Sequence, residues 1–291
     1  MKYGIKINPD DVAEPWWPAV LGSEEMLLAK ARQLGAGFVE LVVQEEAPLE
    51  EVTRLAGIAR QAGLGVSLHP YLYGPLAAEA FDIRRADAFA PMLQLADELG
   101  RAAGEPTIVV FHGGRARTEP HHRPYEDAMA SAKAFFAWLA GQAEAWPHVR
   151  SLCETQIPTR PGDGDWDRLG DTYETCLELV DGTGLEVCWD FGHTYAAWHR
   201  GKHGQFPPPE FLRRVGHVHA HDTVRIDGDI EDHRPLGTGI SPWRKYLALL
   251  AQRGYDGTIL FETGLWTRQG YDGLAAMLTS AIAEVETIAA K

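Results

Sequence analysis

The stretch Glu186-Val187-Cys188-Trp189-Asp190-Phe191-Gly192-His193 reads as a short apolar strand that runs into a carboxylate and, three residues later, an imidazole. Valine, tryptophan and phenylalanine suit a buried extended segment. Asp190 stands where that strand ends, and Asp and His are both ligands for divalent metals. Taken alone, the pair also has a plainer reading, with Asp190 capping the next helix and His193 solvated. The residues on either side decide between the two.

Outward from Asp190 the same unit recurs. Apolar strand-like runs lie at Tyr3–Ile7, Phe38–Val43, Gly65–His69, Thr107–His112, Arg150–Glu154, Leu185–Asp190, Gly216–His221 and Thr258–Glu262. Helical segments separate them. One opens at Ser23-Glu24-Glu25, with Ser23 as N-cap and acids in the first turn, and ends near Gly35. Others are expected over 49–62, 85–99, 125–145 and 167–180. After the long connection 191–214, a short helix follows Pro207-Pro208-Pro209. Ser241-Pro242 is a helix start with Ser as N-cap and Pro at the first helical position, in a helix ending at Gly254. A last helix runs from Tyr271. Strict alternation demands crossover connections and hence a parallel sheet. Eight such units in 291 residues give an α/β protein with a single (β/α)8 TIM-barrel domain spanning 1–291. A doubly wound sheet fits less well, because no GxGxxG follows the first strand.

Bulk properties agree with a globular chain. Hydrophobic residues make up 45% and charged residues 23%, enough to build a sizeable core. The net charge of -14 works against a sequence-independent grip on nucleic acid, which needs Lys and Arg facing phosphates. Cys153, Cys176 and Cys188 form no CxxC pair and suit buried free thiols in a reducing cytosol, so a cytoplasmic location is expected. There is no secretory pattern at Met1–Lys6 and no run long enough to cross a bilayer.

In a barrel, chemistry sits at the C-terminal ends of the strands. Those ends carry His69, His112, Glu154, Asp190 with His193 just after, His219 and Glu262. Chance placement does not give a metal-competent side chain at six consecutive strand ends. The loop after the seventh strand adds Glu231 and His233, two apart in an extended segment. Asp227-Gly228-Asp229 imitates a calcium loop, but position six is Asp232 rather than Gly and position twelve is Thr238 rather than an acid. Asp190-Phe191-Gly192 imitates a kinase DFG without the other kinase elements. His217, His219 and His221 share one side of the strand, and the residues alone do not choose among them.

With these residues in view, the chain resembles the xylose-isomerase-like TIM-barrel superfamily, over nearly its whole length. That superfamily includes sugar phosphate isomerases and epimerases and the AP endonuclease family 2, whose endonuclease IV branch is especially similar in its ligands. The resemblance implies that Glu154, Asp190, His219 and Glu262 hold a divalent metal. The endonuclease IV branch holds three zinc ions, and its added ligands match His69, His112, His193, Glu231 and His233, with Glu231 where that family has Asp. Pro235-Leu236-Gly237-Thr238-Gly239 resembles a tail shared by both groups. The DNA-reading loops depart from that branch: Gln44-Glu45-Glu46-Ala47-Pro48 would face phosphates with two carboxylates, and Thr155-Gln156-Ile157-Pro158 replaces an Asn-Thr-Ala-Gly. Tyr71-Leu72 resembles a DNA wedge shifted by one residue, or the lid of a small pocket.

Two functions follow from the resemblance. The first is a metal-dependent isomerase or epimerase that acts on a small sugar, sugar phosphate or related polyol through an enediolate. Glu154 and Glu262 would move the proton, and zinc, manganese, magnesium or cobalt, one to three ions per chain, would polarise the carbonyl. The alternative is a trinuclear-zinc phosphodiesterase of the endonuclease IV kind. A small sugar-like molecule is the expected partner, duplex DNA is disfavoured, and a homo-oligomer is compatible with the sequence. Substrate contacts are expected from Arg115, as a phosphate receptor after Gly113-Gly114, from His193, and from Trp189. Trp16, Trp17, Trp198 and Trp266 are further candidate walls for a sugar ring.

Overall fold

The computed structural model describes residues 1–14, 16–44, 49–70, 87–117, 125–160, 166–263 and 269–290. Several expectations fall outside them: the acidic segment 45–48, the Tyr71-Leu72 pair, Trp266 and the start of the helix expected from 85. Eight parallel strands close into a barrel. They are β1 Lys2–Ile7, β2 Phe38–Val43, β3 Gly65–Pro70, β4 Thr107–His112, β5 Val149–Glu154, β6 Glu186–Asp190, β7 Val215–Ala220 and β8 Thr258–Phe261. Their order round the barrel follows the sequence, β1-β8-β7-β6-β5-β4-β3-β2. The eight main helices are α1 Glu24–Gln33, α2 Leu49–Gln61, α3 Ala90–Ala103, α4 Tyr125–Gly141, α5 Tyr173–Leu179, α6 Phe191–His199, α7 Trp243–Ala251 and α8 Gly270–Ala289. Among the described residues, no helix is long and apolar enough to cross a membrane.

Internal contacts divide the chain into two compact units. One comprises Met1–Ser67 with His217–Lys291, and the other Leu68–Gly216. In the second, strand periodicity sets a layer beneath the strand ends. Ile108, Val110, Leu152 and Cys188 form a buried cluster. Two residues further along the same strands, on the same face, stand His112, Glu154 and Asp190. In the first unit, Gly4 pairs with Phe38 and Lys6 with Glu40 in the β1–β2 register. A Cβ on Gly4 would lie 2.4 Å from the Phe38 ring, so only glycine lets that ring sit against β1. Helices are held as their periodicity implies. In α1, Ser23 Oγ accepts the Met26 N–H at 3.3 Å, and Leu27, Leu28 and Ala31 are fully buried. Each buried leucine contributes about 1.5–3 kcal/mol.

Local expectations are corrected at several places. Residues 167–172 are not helical: Trp166–Arg168 pairs antiparallel with Arg115–Arg117. Helix α5 starts only at Tyr173, after a Thr172/Thr175 capping box. The long connection after Asp190 opens with a helix, because α6 begins at once. Asp190 Oδ1 accepts the His193 N–H at 2.7 Å as its N-cap, and buried Phe191, Tyr195 and Ala196 outweigh the poor helix propensity of Gly192.

The polar loop after β7 holds a hairpin, Asp222–Ile226 with Asp229–Arg234. Asp227 and Gly228 both take positive φ, 50° and 87°, as a two-residue hairpin turn requires. The N-cap of α7 is Pro242 rather than Ser241. Ser241 instead gives its N–H (2.9 Å) and hydroxyl (2.8 Å) to Asp222 Oδ1. The same carboxylate accepts the N–H groups of Thr223 (2.8 Å), Gly237 (3.1 Å) and Gly239 (2.9 Å). The Leu-Gly-x-Gly tail thus wraps one buried aspartate. A Cβ on Gly239 would meet the Thr223 carbonyl oxygen at 2.0 Å, which is why glycine stands there.

Candidate metal-binding residues

In the Leu68–Gly216 unit, β3, β4 and β5 bring His69, His112 and Glu154 together. One ligand atom from each lies within 4.8 Å of the others, and all three residues are buried. His69 Nδ1 is 2.8 Å from the Val110 carbonyl oxygen. A carbonyl only accepts, so Nδ1 carries a proton and the ring turns Nε2 toward the neighbouring carboxylate. That Nε2 is 3.3 Å from Glu154 Oε2. His112 Nε2 is 3.0 Å from the same oxygen, and the two rings meet edge to face at 4.7 Å. Burial pulls the His112 pKa down to about 4 against the partial opposition of Glu154, so its ring is neutral. Two buried imidazoles converging on one carboxylate oxygen form a donor set suited to zinc-like ions. The Val110 carbonyl supplies the outer hydrogen bond that such histidines normally have.

His193 is built the same way. Its Nδ1 donates to the Thr155 carbonyl at 3.0 Å and lies 3.3 Å from Glu154 Oε1 and 3.5 Å from Asp190 Oδ2. Thr155 Oγ1 in turn accepts the Asp190 N–H at 2.9 Å. Asp190 Oδ1 therefore caps α6 while Oδ2 lies beside the imidazole, and His193 is buried rather than solvated. Trp189 does not offer a wall to a substrate. It is fully buried, ringed by Tyr173, Phe191 and Phe211, and its Nε1–H goes to Thr194 Oγ1 at 3.1 Å. Trp17 is likewise core, at 2% exposed. Arg115 sits half-buried on the short ribbon, opposite Arg168.

In the other unit, β7 and β8 carry His219 and Glu262. His219 Nδ1 is 2.8 Å from Glu262 Oε2. Lys6, on β1, gives its ammonium to Glu262 Oε1 at 2.7 Å. Burial alone would raise the Glu262 pKa, but Lys6 and His219 outweigh it and hold the carboxyl well below its usual range. His217 lies deeper, with Nδ1 2.6 Å from Thr258 Oγ1. His221 lies just past β7, and its Nδ1 accepts the His233 N–H at 2.9 Å, which occupies that lone pair.

His233 has a positive φ of 56°. Its ring stacks on His221 at 4.4 Å and reaches Asp232 at 2.9 Å and Glu262 at 3.5 Å. Burial disfavours a charge on this ring, but the two carboxylates outweigh it and raise its pKa. Glu231 turns to Arg234 on the same strand and is half-exposed.

Sequence reading missed Lys6 and Glu40. Glu40 is fully buried, with Oε1 3.2 Å from His219 Nε2 and Oε2 accepting the Ser67 hydroxyl at 3.0 Å. A signal for it existed: a carboxylate in the middle of the apolar run Phe38–Val43 must find partners, because a buried charge without them is too costly.

A family model described as xylose isomerase-like TIM barrel matches residues 28–279. No curated protein matches the chain by sequence. Several solved structures share the fold. A D-tagatose 3-epimerase-like protein is 20% identical, with a TM-score of 0.66, over 100% of this chain and 98% of its own. D-Psicose 3-epimerase from Clostridium cellulolyticum is 15% identical, with a TM-score of 0.65, over 99% of both. An L-ribulose 3-epimerase is 20% identical, with a TM-score of 0.64, over 98% and 95%. At these identities the likeness concerns the fold. With its family model covering most of the sequence, the chain belongs to the xylose isomerase-like TIM-barrel family.

Proposed function

We propose that this protein is a divalent-metal-dependent isomerase or epimerase of a small sugar, sugar phosphate or related polyol. The observation that carries the reading is a pair of buried strand-end carboxylates, Glu154 and Glu262, each set against imidazole nitrogens. The ligands would be Glu154, Asp190, His219 and Glu262, from strand ends that are consecutive in the barrel order. A divalent ion held there would act as a Lewis acid on the substrate's carbonyl and adjacent hydroxyl.

The chain's own groups then move the proton. Glu262, kept ionised beside Lys6, accepts a proton from the carbon next to the carbonyl, leaving an enediolate. Glu154 serves as the second carboxylate, which returns a proton to the opposite face for epimerisation. The solved epimerases of like fold act on ketoses, which supports a sugar as the substrate class. A second reading, a three-zinc phosphodiesterase, draws support from the His69–His112–Glu154 cluster, which lies outside the four-ligand set apart from Glu154.

The test is a panel of free and phosphorylated ketoses in deuterated water, with an abasic-site duplex alongside. Epimerisation with solvent deuterium at the inverted carbon is expected. Enzyme-like cleavage of the duplex, with every ketose inert, would establish the second reading instead.

A further inference from the structure

The short ribbon in the Leu68–Gly216 unit sets two arginines face to face. Arg115 pairs with Arg168 across it. On the next rung Leu169 gives its N–H to the Gly114 carbonyl at 2.9 Å. Arg115 and Arg168 therefore form the closer, non-hydrogen-bonded kind of pair, with Cα atoms about 4.5 Å apart and both side chains on one face. Asp167 pairs with Ala116 on the other face. Like charges directly opposite cost stability. The chain nonetheless packs closely here. A Cβ on Gly113 would lie 2.4 Å from the Leu169 carbonyl oxygen, and the Gln156 N–H is bonded to the Gly170 carbonyl at 2.9 Å.

The Gln156 side chain completes the group. It is 1% exposed. Arg168 Nη1 is 3.5 Å from its Oε1. A guanidinium only donates, so the amide oxygen is the atom that faces it and Nε2 is left over. Nε2 is buried and meets no acceptor among the described residues. A buried donor without a partner is costly and needs a reason. Among the described residues, no carboxylate lies within ion-pair distance of Arg168.

We propose that Arg115, Arg168 and Gln156 form a subsite for a phosphate group carried by the substrate. The group offers donors and no spare acceptor, which suits an oxyanion rather than a sugar hydroxyl. Two guanidinium charges match the charge of about −1.5 to −2 on a phosphate monoester, where a carboxylate would leave one unmatched. Arg115 follows His112 by three residues and Gln156 follows Glu154 by two. The phosphate is thus anchored next to the reacting centre and outside it. The restriction of the substrate to sugar phosphates rests on the function proposed above; the anion site does not.

The experiment uses the full chain, treated with chelator, and radiolabelled inorganic phosphate in equilibrium dialysis. Saturable binding is expected. Arg115→Met, Arg168→Met and Gln156→Leu should each weaken it about tenfold or more. Gln156→Leu should do so with no loss of thermal stability, because it removes a donor that has no partner. Arg253→Met, at an exposed position in the other unit, should bind phosphate as the wild type does. In turnover, KM for a ketose phosphate should rise in Arg168→Met while KM for the unphosphorylated ketose stays the same. A wild type that binds no phosphate overturns the proposal, as do variants that bind it unchanged. Displacement of the phosphate by acetate at equal concentration overturns the choice of phosphate. Binding that responds as stated, with every ketose and ketose phosphate inert, overturns the function proposed above and upholds the anion site.

Discussion

The two units fix their histidines by different means. In Leu68–Gly216, His69 and His193 give Nδ1–H to the main-chain carbonyls of Val110 and Thr155. In the other unit, His219 faces the side chains of Glu40 and Glu262, and His217 faces Thr258 and Glu40. A main-chain acceptor is set by strand register and survives any substitution at its own position. A side-chain acceptor can be removed. The first arrangement makes the tautomer a property of the fold, and the second makes it a property of two or three residues.

If Glu154 and Glu262 are the proton-moving pair proposed above, both are needed whichever unit holds them, and this asymmetry breaks. Glu154→Gln and Glu262→Gln are each expected to lower turnover about 10²–10⁴-fold, the usual weight of general acid–base catalysis. Deuterium incorporation from solvent reads which step is lost. Full activity in either variant would confine the chemistry to one unit and remove the two-carboxylate reading.

Asp222 gives the next largest effect, on stability rather than turnover. Its buried carboxylate gathers four N–H groups and a hydroxyl. Asp222→Ala leaves them buried without an acceptor, each such group costing about 1–3 kcal/mol, so a total loss of at least about 3 kcal/mol is expected. Chemical denaturation measures it. A loss below about 1 kcal/mol would mean that water replaces the carboxylate and that the tail after the hairpin does not depend on it.

Metal removal compares the units directly. Saturating zinc at a hundred times its dissociation constant should stabilise the chain by about 2.7 kcal/mol. Chelation should reverse that. His112→Ala and His219→Ala each remove one donor. If a single ion sits on Glu154, Asp190, His219 and Glu262, His219→Ala lowers its affinity and His112→Ala leaves the zinc count unchanged. If the His69–His112–Glu154 cluster holds an ion of its own, His112→Ala lowers the zinc count by one and His219→Ala leaves that ion in place. Metal analysis of purified protein separates the two.

Much of this was legible before any coordinates. The strands were readable because each is a short apolar run closed by a polar residue, and the candidate ligands because they stand at those closures. What escaped the sequence did so for identifiable reasons. Asp227-Gly228 is a strong two-residue turn signal, but its acidic flanks also match the opening of a calcium loop and mask the hairpin. Glu40 and Lys6 lie inside strands rather than at their closures, so a search of strand ends passes over them. The length of α6 hid behind Gly192: Asp190 reads as an N-cap, but the buried face that stabilises the helix is a tertiary fact. The partners that set the tautomers of His69 and His193 are main-chain atoms, which carry no mark in a sequence.

The smallest effect concerns Trp189, one residue before Asp190. Side chains alternate across a strand, so Asp190 and Cys188 share one face and Trp189 takes the other. The tryptophan accordingly packs among Tyr173, Phe191 and Phe211, away from the carboxylate beside it. Trp189→Phe keeps an aromatic ring in that space and loses the bond from Nε1 to Thr194 Oγ1. One hydrogen bond of this kind is worth about 1 kcal/mol, so a loss near that size is expected, with KM for any accepted sugar unchanged. A raised KM at unaltered stability would mean that the indole touches substrate. The alternation that places Asp190 and Trp189 on opposite faces would then have to be broken at the end of β6.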